Sequence, residues 1–362
     1  MTQAATPSRD KPRILTGDTP TGRLHLGHWV GSVENRVALQ DQYDCYFLIA
    51  NMHAFTTRAE APAEIRQSTI EIVKDWLACG VDPERATVVL QSEIPAIVEL
   101  SWYFAMLIPF NRVMRNPTLK TEIEAKGLGD HYSFGFPLYA VGQCADILVF
   151  RPELVPVGED QVAHIEMTRE VARRFNQVYC GVDPHTEDKD YVRAGGLFPI
   201  PAAKVGRIAR LPGTDGVNKM SKSLNNAIFL TDSPKEVKKK VGQIFTGRQS
   251  MTEPGDTSNA LFQYVRAFIH DESRVKELEE RYSKGDNIGD GHVKQEVAEA
   301  ISELLAPMQE RRAKYDAPGG EDLIVDVIRA GLAKATPIAE ETLELAKRAM
   351  KLDFAPRTIS FS

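Results

Sequence analysis

The sequence predicts an α/β chain in which a doubly wound parallel sheet is followed by an α-helical domain, and three observations carry that expectation. Short apolar runs at residues 14–16, 44–50, 87–90 and 155–157 alternate with stretches of helical periodicity, the pattern of βαβ units. Glycine, proline and threonine crowd residues 17–22, a tight turn between the first strand and a helix that begins near Leu26. Beyond the polar loop at 213–223 the composition shifts toward Lys, Glu and Ala at helical spacing from Pro234 through Ala313, with no convincing strand past 228–230.

Taken in order, residues 14–16 form a short buried strand and 44–50 a second one. Residues 64–77 place Ile65, Thr69, Ile72, Val73 and Trp76 on one helical face, and a third strand at 87–90 follows the turn at Asp82-Pro83. Residues 95–126 read as helical, broken at Pro109 and Pro117. The run 155–157 is another strand, leading into Gly158 and a helix over 159–175, and the alternation persists to about residue 210. Residues 285–291, rich in glycine and aspartate, are a surface loop, and no internal repeat is present. In such a sheet the ligand site lies outside the carboxyl ends of the strands.

With 362 residues, 43% of them hydrophobic, the chain can furnish a sizeable core without staples. Its longest apolar runs, 45–50 and 103–110, fall well short of the ~18 residues of a membrane span. A soluble chain with no membrane partner is therefore expected. Residues 1–12 are polar, include Arg9, Asp10 and Lys11, lack the apolar segment of a secretory signal, and read as a loose tail. Cys45, Cys79, Cys144 and Cys180 are far apart, with no CxxC pair, which argues against a zinc site and a disulfide framework and fits a reducing cytoplasm. A net charge of −6 gives no sign of a nucleic-acid partner, so no DNA partner is expected and any RNA contact must use local patches.

Two stretches carry chemistry. His25 and His28 stand three apart where the first strand feeds the first helix, so both imidazoles can donate to phosphate oxygens while Gly27 lets a purine or ribose approach the backbone. Alone, this pattern also fits a capped helix with surface histidines. About two hundred residues on, Lys219-Met220-Ser221-Lys222-Ser223 sets two lysines around a serine in a glycine-rich loop. Mobile ammonium groups there can follow charge developing on the β- and γ-phosphates of a nucleotide. A solvated loop is the plainer reading of that run by itself.

Together, His25-Leu26-Gly27-His28 and Lys219-Met220-Ser221-Lys222-Ser223 resemble the HIGH and KMSKS signatures of class I aminoacyl-tRNA synthetases. The blocks at 16–22, 144–148 and 155–161 resemble those of the bacterial-type tryptophanyl branch, and the similarity runs from about Ile14 to Leu352. The resemblance implies a Rossmann-like catalytic domain over 13–213, a KMSKS loop and helical anticodon-binding domain over 214–320, and C-terminal helices over 321–362 that partly pack back on the first domain. It implies activation of L-tryptophan by ATP, with Mg²⁺ carried on the ATP phosphates and no dedicated metal site, then transfer to tRNA(Trp) in a cytoplasmic homodimer.

Site roles follow from the same resemblance. Asp146 accepts the indole N–H, and Tyr139 and Gln161 fix the α-amino group of tryptophan. Thr19, Pro20, Thr21, Gly27 and His28 meet ATP on one side; Gly158, Glu159 and Asp160 meet its ribose, and backbone at Ile208 its adenine. Lys219, Met220, Ser221, Lys222 and Ser223 cover the phosphates, with charge supplied by His25, His28, Lys219, Lys222 and Mg²⁺. Gln143 departs from the methionine of the common bacterial pattern; it is expected to add a polar contact to the indole and to alter sensitivity to indole-based inhibitors. Lys235 and Lys238 to Lys240 offer a phosphate contact for RNA, a solvated helix face being the alternative. Trp102, Phe104, Met106 and Ile108 are the expected dimer face, which ordinary core packing would explain as well. Three rivals stay open: a tyrosyl enzyme, opposed by Leu15 where a tyrosine would face the substrate hydroxyl; a small nucleotidylyltransferase, opposed by the long helical tail and the lysine signature; and a non-catalytic paralogue, opposed by intact motif residues.

Overall fold

The computed structural model describes residues 11–355 except 130, 207–210 and 223. Ile208, Ser223 and most of the expected tail lie outside the described residues.

Five parallel strands form one sheet: β1 Arg13–Asp18, β2 Asp44–Ile49, β3 Ala86–Leu90, β4 Leu154–Val157 and β5 Ala202–Val205, ordered β3-β2-β1-β4-β5. The order reverses between β1 and β4, which opens a crevice at the strand ends. The first four strands are those of the apolar runs. The sequence Ala-Ala-Lys-Val of β5 carries no such run because it is an edge strand, half-exposed along its length, and becomes a strand by pairing with β4 in register Leu154↔Ala202.

Side-chain alternation divides the interior in two. Ile14, Cys45, Phe47 and Val88 face one cluster; Leu15, Tyr46, Leu48 and Val89 face the other. The first cluster is continuous with the helical region, through Ile228, Leu230, Val237, Leu261, Val297 and Leu305. The second takes in Phe104, the helices Gly135–Leu148 and Val162–Cys180, and the closing helix Gly320–Ala349.

Helix Pro62–Cys79 starts with proline in its first turn, where the missing N–H costs nothing, and buries Ile65, Thr69, Ile72, Val73 and Trp76. Pro109 and Pro117 cut the next stretch into Pro95–Ala105, Phe110–Met114 and Pro117–Ala125. Phe104 leaves the expected dimer face: it is fully buried, edge-on to Phe175 and Phe198, whereas Val98, Trp102, Met106 and Phe110 stay exposed at i, i+4, i+8 and i+12. The segment 228–230 is no strand of the sheet. It pairs antiparallel with 24–26, Leu26 N–H donating to Ile228 O at 2.9 Å and Leu230 N–H to Leu24 O at 3.1 Å.

Four helices follow, Pro234–Gly242, Ala260–Phe268, Glu272–Lys284 and Asp290–Asp316. In the lysine run Lys240 is taken up by Asp232 at 2.5 Å and lies over the Phe229 ring, leaving Lys235, Lys238 and Lys239 exposed. Arg312, buried on the last of these helices, pairs with Asp75 and Glu71 of helix Pro62–Cys79 and with Asp316. No described helix is long and apolar enough to cross a membrane. All four cysteines are free, three of them buried.

The helix Gly320–Ala349 lies against β3 so closely that a Cβ at Gly331 would overlap the Val88 carbonyl oxygen. Arg151–Glu341 and Lys347–Glu99 ion pairs fix its later turns. In an ordinary helix interior Gly→Ala gains about 1 kcal/mol. Here Gly331→Ala is expected to lose about 1–3 kcal/mol through overpacking, read as a lowered urea midpoint; a raised midpoint would refute the close approach.

Candidate active site

The loop leaving β1 is fixed from below. Asp18 takes a bidentate pair from Arg36 at 2.7 and 3.0 Å and a hydrogen bond from Trp76 Nε1 at 3.0 Å. Burial works against its charge, but the guanidinium outweighs it and holds the carboxyl below its ordinary value. Next, Leu24 N–H donates to Asp75 Oδ2 at 2.6 Å, and the chain turns into a helical run at Leu26–His28 that continues through Trp29–Val33 to Glu34–Leu39.

His25 and His28 stack with ring centroids 3.8 Å apart, and His28 Nδ1 accepts the His25 backbone N–H at 3.1 Å, so the neutral His28 ring carries its proton on Nε2. His25 is buried, its Nδ1 unpartnered among the described residues. Burial, then His28, Lys222 and Lys219, drives His25 down to about 2; burial lowers His28 to about 4 against the pull of Asp18. Both rings are therefore neutral near pH 7. Neutral imidazoles can offer N–H donors rather than charge. Gly27 makes room for protein as well, since a Cβ there would lie 3.0 Å from the His25 ring and 3.6 Å from Met220 Cβ.

The lysine segment is one arm of a hairpin. Gly213 N–H donates to Asn218 O at 2.8 Å and Met220 N–H to Leu211 O at 3.3 Å, and Met220 is buried as an anchor. Asp215 ties the tip, accepting from the Val217 and Asn218 amides, both at 3.1 Å, and from the side chains of Asn218 and Asn226. Asn226 Oδ1 in turn takes Ser221 N–H at 2.7 Å. On this frame the two ammonium groups rest on displaceable partners. Lys222 Nζ donates to Thr21 Oγ1 at 3.2 Å, and Lys219 Nζ meets Asp160 at 2.9 Å with both groups exposed. Burial lowers Lys222 to about 8, with Asp75 and Asp18 opposing it, so it is still largely charged at neutral pH.

Tyr139, Gln143 and Asp146 stand at i, i+4 and i+7 on helix Gly135–Leu148, hence on one face. Asp146 is buried; its Oδ1 accepts Gln91 Nε2 at 2.8 Å, and His53 Nδ1 faces Oδ2 across 3.6 Å. Burial raises the Asp146 carboxyl to about 7 against the Gln91 hydrogen bond, and lowers His53 to about 4. The Tyr139 phenol is pushed up by burial and by the Glu122 carboxylate, and stays protonated. Gln143 Nε2 reaches Gln161 Oε1 at 3.4 Å and Gln161 Nε2 reaches Asp160 at 3.4 Å, a loose polar chain from the pocket to Lys219. Leu15 is buried in the cluster beneath this helix.

One crevice thus holds Thr21, His25, Gly27 and His28 beyond β1, Gly158 to Gln161 beyond β4, and the lysine hairpin. Thr19 is exposed beside the buried Pro20, whose carbonyl accepts from Arg58, and Glu159 is exposed at the end of β4. His53 and Gln91 were missed in the sequence. Gln91 directly follows β3 and His53 lies in the first turn of the helix Asn51–Arg58 after β2, so the rule that ligands sit at strand carboxyl ends would have flagged both.

A family profile described as tRNA synthetases class I (W and Y) matches residues 7–306. The chain is 40% identical over 351 residues to the tryptophan–tRNA ligase of Lactococcus lactis subsp. lactis (strain IL1403), covering 95% of this chain and 99% of the relative. It is 41% identical over 353 residues to that of Treponema pallidum (strain Nichols), covering 95% and 98%. The tryptophanyl-tRNA synthetase from Campylobacter jejuni, solved in complex with ADP and tryptophan, superposes with a TM-score of 0.76 at 31% identity over 94% of this chain and 100% of that one. With the histidine and lysine motifs brought together at the switch point of a parallel sheet, the chain belongs to the family of class I tRNA synthetases for tryptophan and tyrosine.

Proposed function

We propose that this chain is a tryptophan–tRNA ligase, which activates L-tryptophan with ATP to tryptophanyl-adenylate and pyrophosphate and then esterifies tryptophan onto tRNA(Trp). The observation that carries this reading is the buried Asp146, fixed through one oxygen by Gln91 and with the other 3.6 Å from a neutral histidine, on the helix whose Gln143 leads through Gln161 and Asp160 to Lys219. A carboxylate only accepts, so it selects an N–H. The tyrosyl alternative is weakened by Leu15, a hydrocarbon that offers a phenol nothing to bond.

In this mechanism the tryptophan carboxylate attacks the α-phosphorus in line and pyrophosphate leaves; the terminal ribose hydroxyl of the tRNA then attacks the adenylate carbonyl, loses its proton and expels AMP. The protein supplies positioning and charge rather than a nucleophile. Lys222 exchanges Thr21, and Lys219 exchanges Asp160, for the phosphate oxygens, while His25 and His28 donate as neutral rings; Mg²⁺ arrives on the ATP phosphates. Thr19, Pro20, Thr21 and Gly27 border the nucleotide, Gly158, Glu159 and the freed Asp160 its ribose, with Met220 and Ser221 setting the loop. Tyr139 and Gln161 hold the α-amino group, and Gln143 flanks the indole. Ile208 and Ser223 keep the adenine and phosphate roles drawn from their motifs. The catalytic unit is 13–213, the loop and anticodon-binding unit 214–320, and 321–362 the C-terminal unit. The protein works in the cytoplasm as a homodimer that covers Val98, Trp102, Met106 and Phe110, an apolar stripe of the kind association buries.

Three measurements test these assignments. ATP–pyrophosphate exchange across the twenty amino acids is expected to respond to tryptophan, with Lys222→Ala lowering kcat by about 10²–10³-fold while the KM for tryptophan shifts little; exchange driven by tyrosine would reject the substrate. Because the Asp146 carboxyl stands near 7 and His53 near 4, only the former titrates between pH 6 and 8. The ionised acid accepts the N–H, so tryptophan affinity is expected to fall roughly tenfold from pH 8 to pH 6, a slope that Asp146→Asn flattens; an identical slope in that variant would remove Asp146 from the contact. Finally, Trp102→Glu with Met106→Glu should sediment as a monomer at an unchanged melting temperature, and a persistent dimer would place the interface elsewhere.

A further inference from the structure

On the helix Asp290–Asp316, Arg312 reaches into the α/β unit, and Gln309, one turn earlier, holds the segment 230–232 of its own unit. Arg312 is buried and pairs through Nη1 with Asp75 Oδ1 and through Nη2 with Glu71 Oε2 at 2.5 Å. The other oxygen of Asp75 accepts Leu24 N–H, the amide immediately before His25. Gln309 donates from its one amide nitrogen to Leu230 O at 3.1 Å and to Asp232 O at 2.9 Å. Leu230 N–H in turn donates to Leu24 O, and Leu26 N–H to Ile228 O. Residues 24–26 are therefore gripped on one side through Asp75 and on the other through 228–230, the segment that follows Asn226, which ties the lysine hairpin through Asp215 and Ser221. Apolar packing at this junction, through Cys79, Leu230 and Met308, leaves a small cavity that Asp75, Gln309 and Arg312 also border. Directed polar bonds add orientation to that packing.

We infer that Arg312 and Gln309 are positioning residues for the activation step: they set the histidine segment and the lysine hairpin relative to each other, and so act on ATP rather than on the amino acid. This rests on the ligase reading for its turnover readout. Arg312 orients Asp75 so that its Oδ2 meets the Leu24 amide and its charge lies near Lys222, whose ammonium it attracts. Burial pushes the Asp75 carboxyl up to about 6 even against Arg312, so the guanidinium is what keeps a charged acceptor behind Leu24. The amino-acid pocket is built on a different helix, Gly135–Leu148, in the opposite core, and makes none of these bonds.

The test compares Arg312→Gln, Arg312→Lys and Gln309→Leu with the wild type in the full-length enzyme. Arg312→Gln is expected to lower kcat of tryptophan-dependent pyrophosphate exchange at least tenfold and to raise the KM for ATP at least fivefold, with the tryptophan Kd, measured by calorimetry without ATP, within twofold. Arg312→Lys, which restores a charge for Asp75 but not the fork to Glu71, recovers part of the loss. Unchanged kcat and ATP KM, or a tryptophan affinity that falls in step with kcat, would overturn the inference. Should Arg312→Gln not fold, Gln309→Leu, which leaves every ion pair in place, decides the matter by the same split. If the wild type exchanges with no amino acid, the ligase reading fails by itself; the clamp is then judged on ATP Kd, expected to weaken at least fivefold in Gln309→Leu and refuted if unchanged.

Discussion

All five strands run the same way, and the rest of the molecule answers to that constraint. A parallel sheet must be covered on both faces, which gives two cores, and it collects the carboxyl ends of its strands on one edge, where every connection begins. The turn after β1 carries the histidines, the helix after β2 carries His53, Gln91 directly follows β3, and the turn after β4 carries Asp160 and Gln161. No single segment builds the site. Chain direction does, and it puts groups far apart in sequence within a few ångströms of each other.

The electrostatics of that edge are divided by burial. The imidazoles are desolvated and lie near two ammonium groups, so they are neutral and present donors. The lysines stand on a hairpin whose backbone is locked by Asp215 and Asn226 but whose side chains rest on a hydroxyl and an exposed carboxylate. A fixed frame with loosely held charges suits a reaction in which negative charge moves, because the charges can follow it with little reorganisation of the backbone. Asp146 is the counterpart. It is buried and held by Gln91, and its protonation is balanced near neutrality.

The helical region is not an independent appendage. Its apolar interior is continuous with one face of the sheet, and its last helix sends Arg312 into a cluster of three carboxylates that a buried guanidinium is suited to bridge. The closing helix covers the opposite face at β3, where Gly331 allows backbone-to-backbone approach. One side of the sheet is thus coupled to the helical region and the other to the helix that carries Tyr139, Gln143 and Asp146.

The sequence by itself determined four of the five strands, the proline breaks at 109 and 117, the helical second half and the two motifs, because each is a local pattern of periodicity or of residue type at fixed spacing. Tertiary structure alone decided the remainder. Ala202–Val205 is a strand only because β4 offers it partners. Phe104 turned inward although Trp102 and Met106, two residues to either side, did not, because helical phase relative to the sheet is set by packing. Lys240 was claimed by Asp232, and His53 and Gln91 entered the site from segments with no motif of their own. The charge state of the histidines was equally invisible in the chain, since desolvation belongs to the folded surroundings and not to the residue.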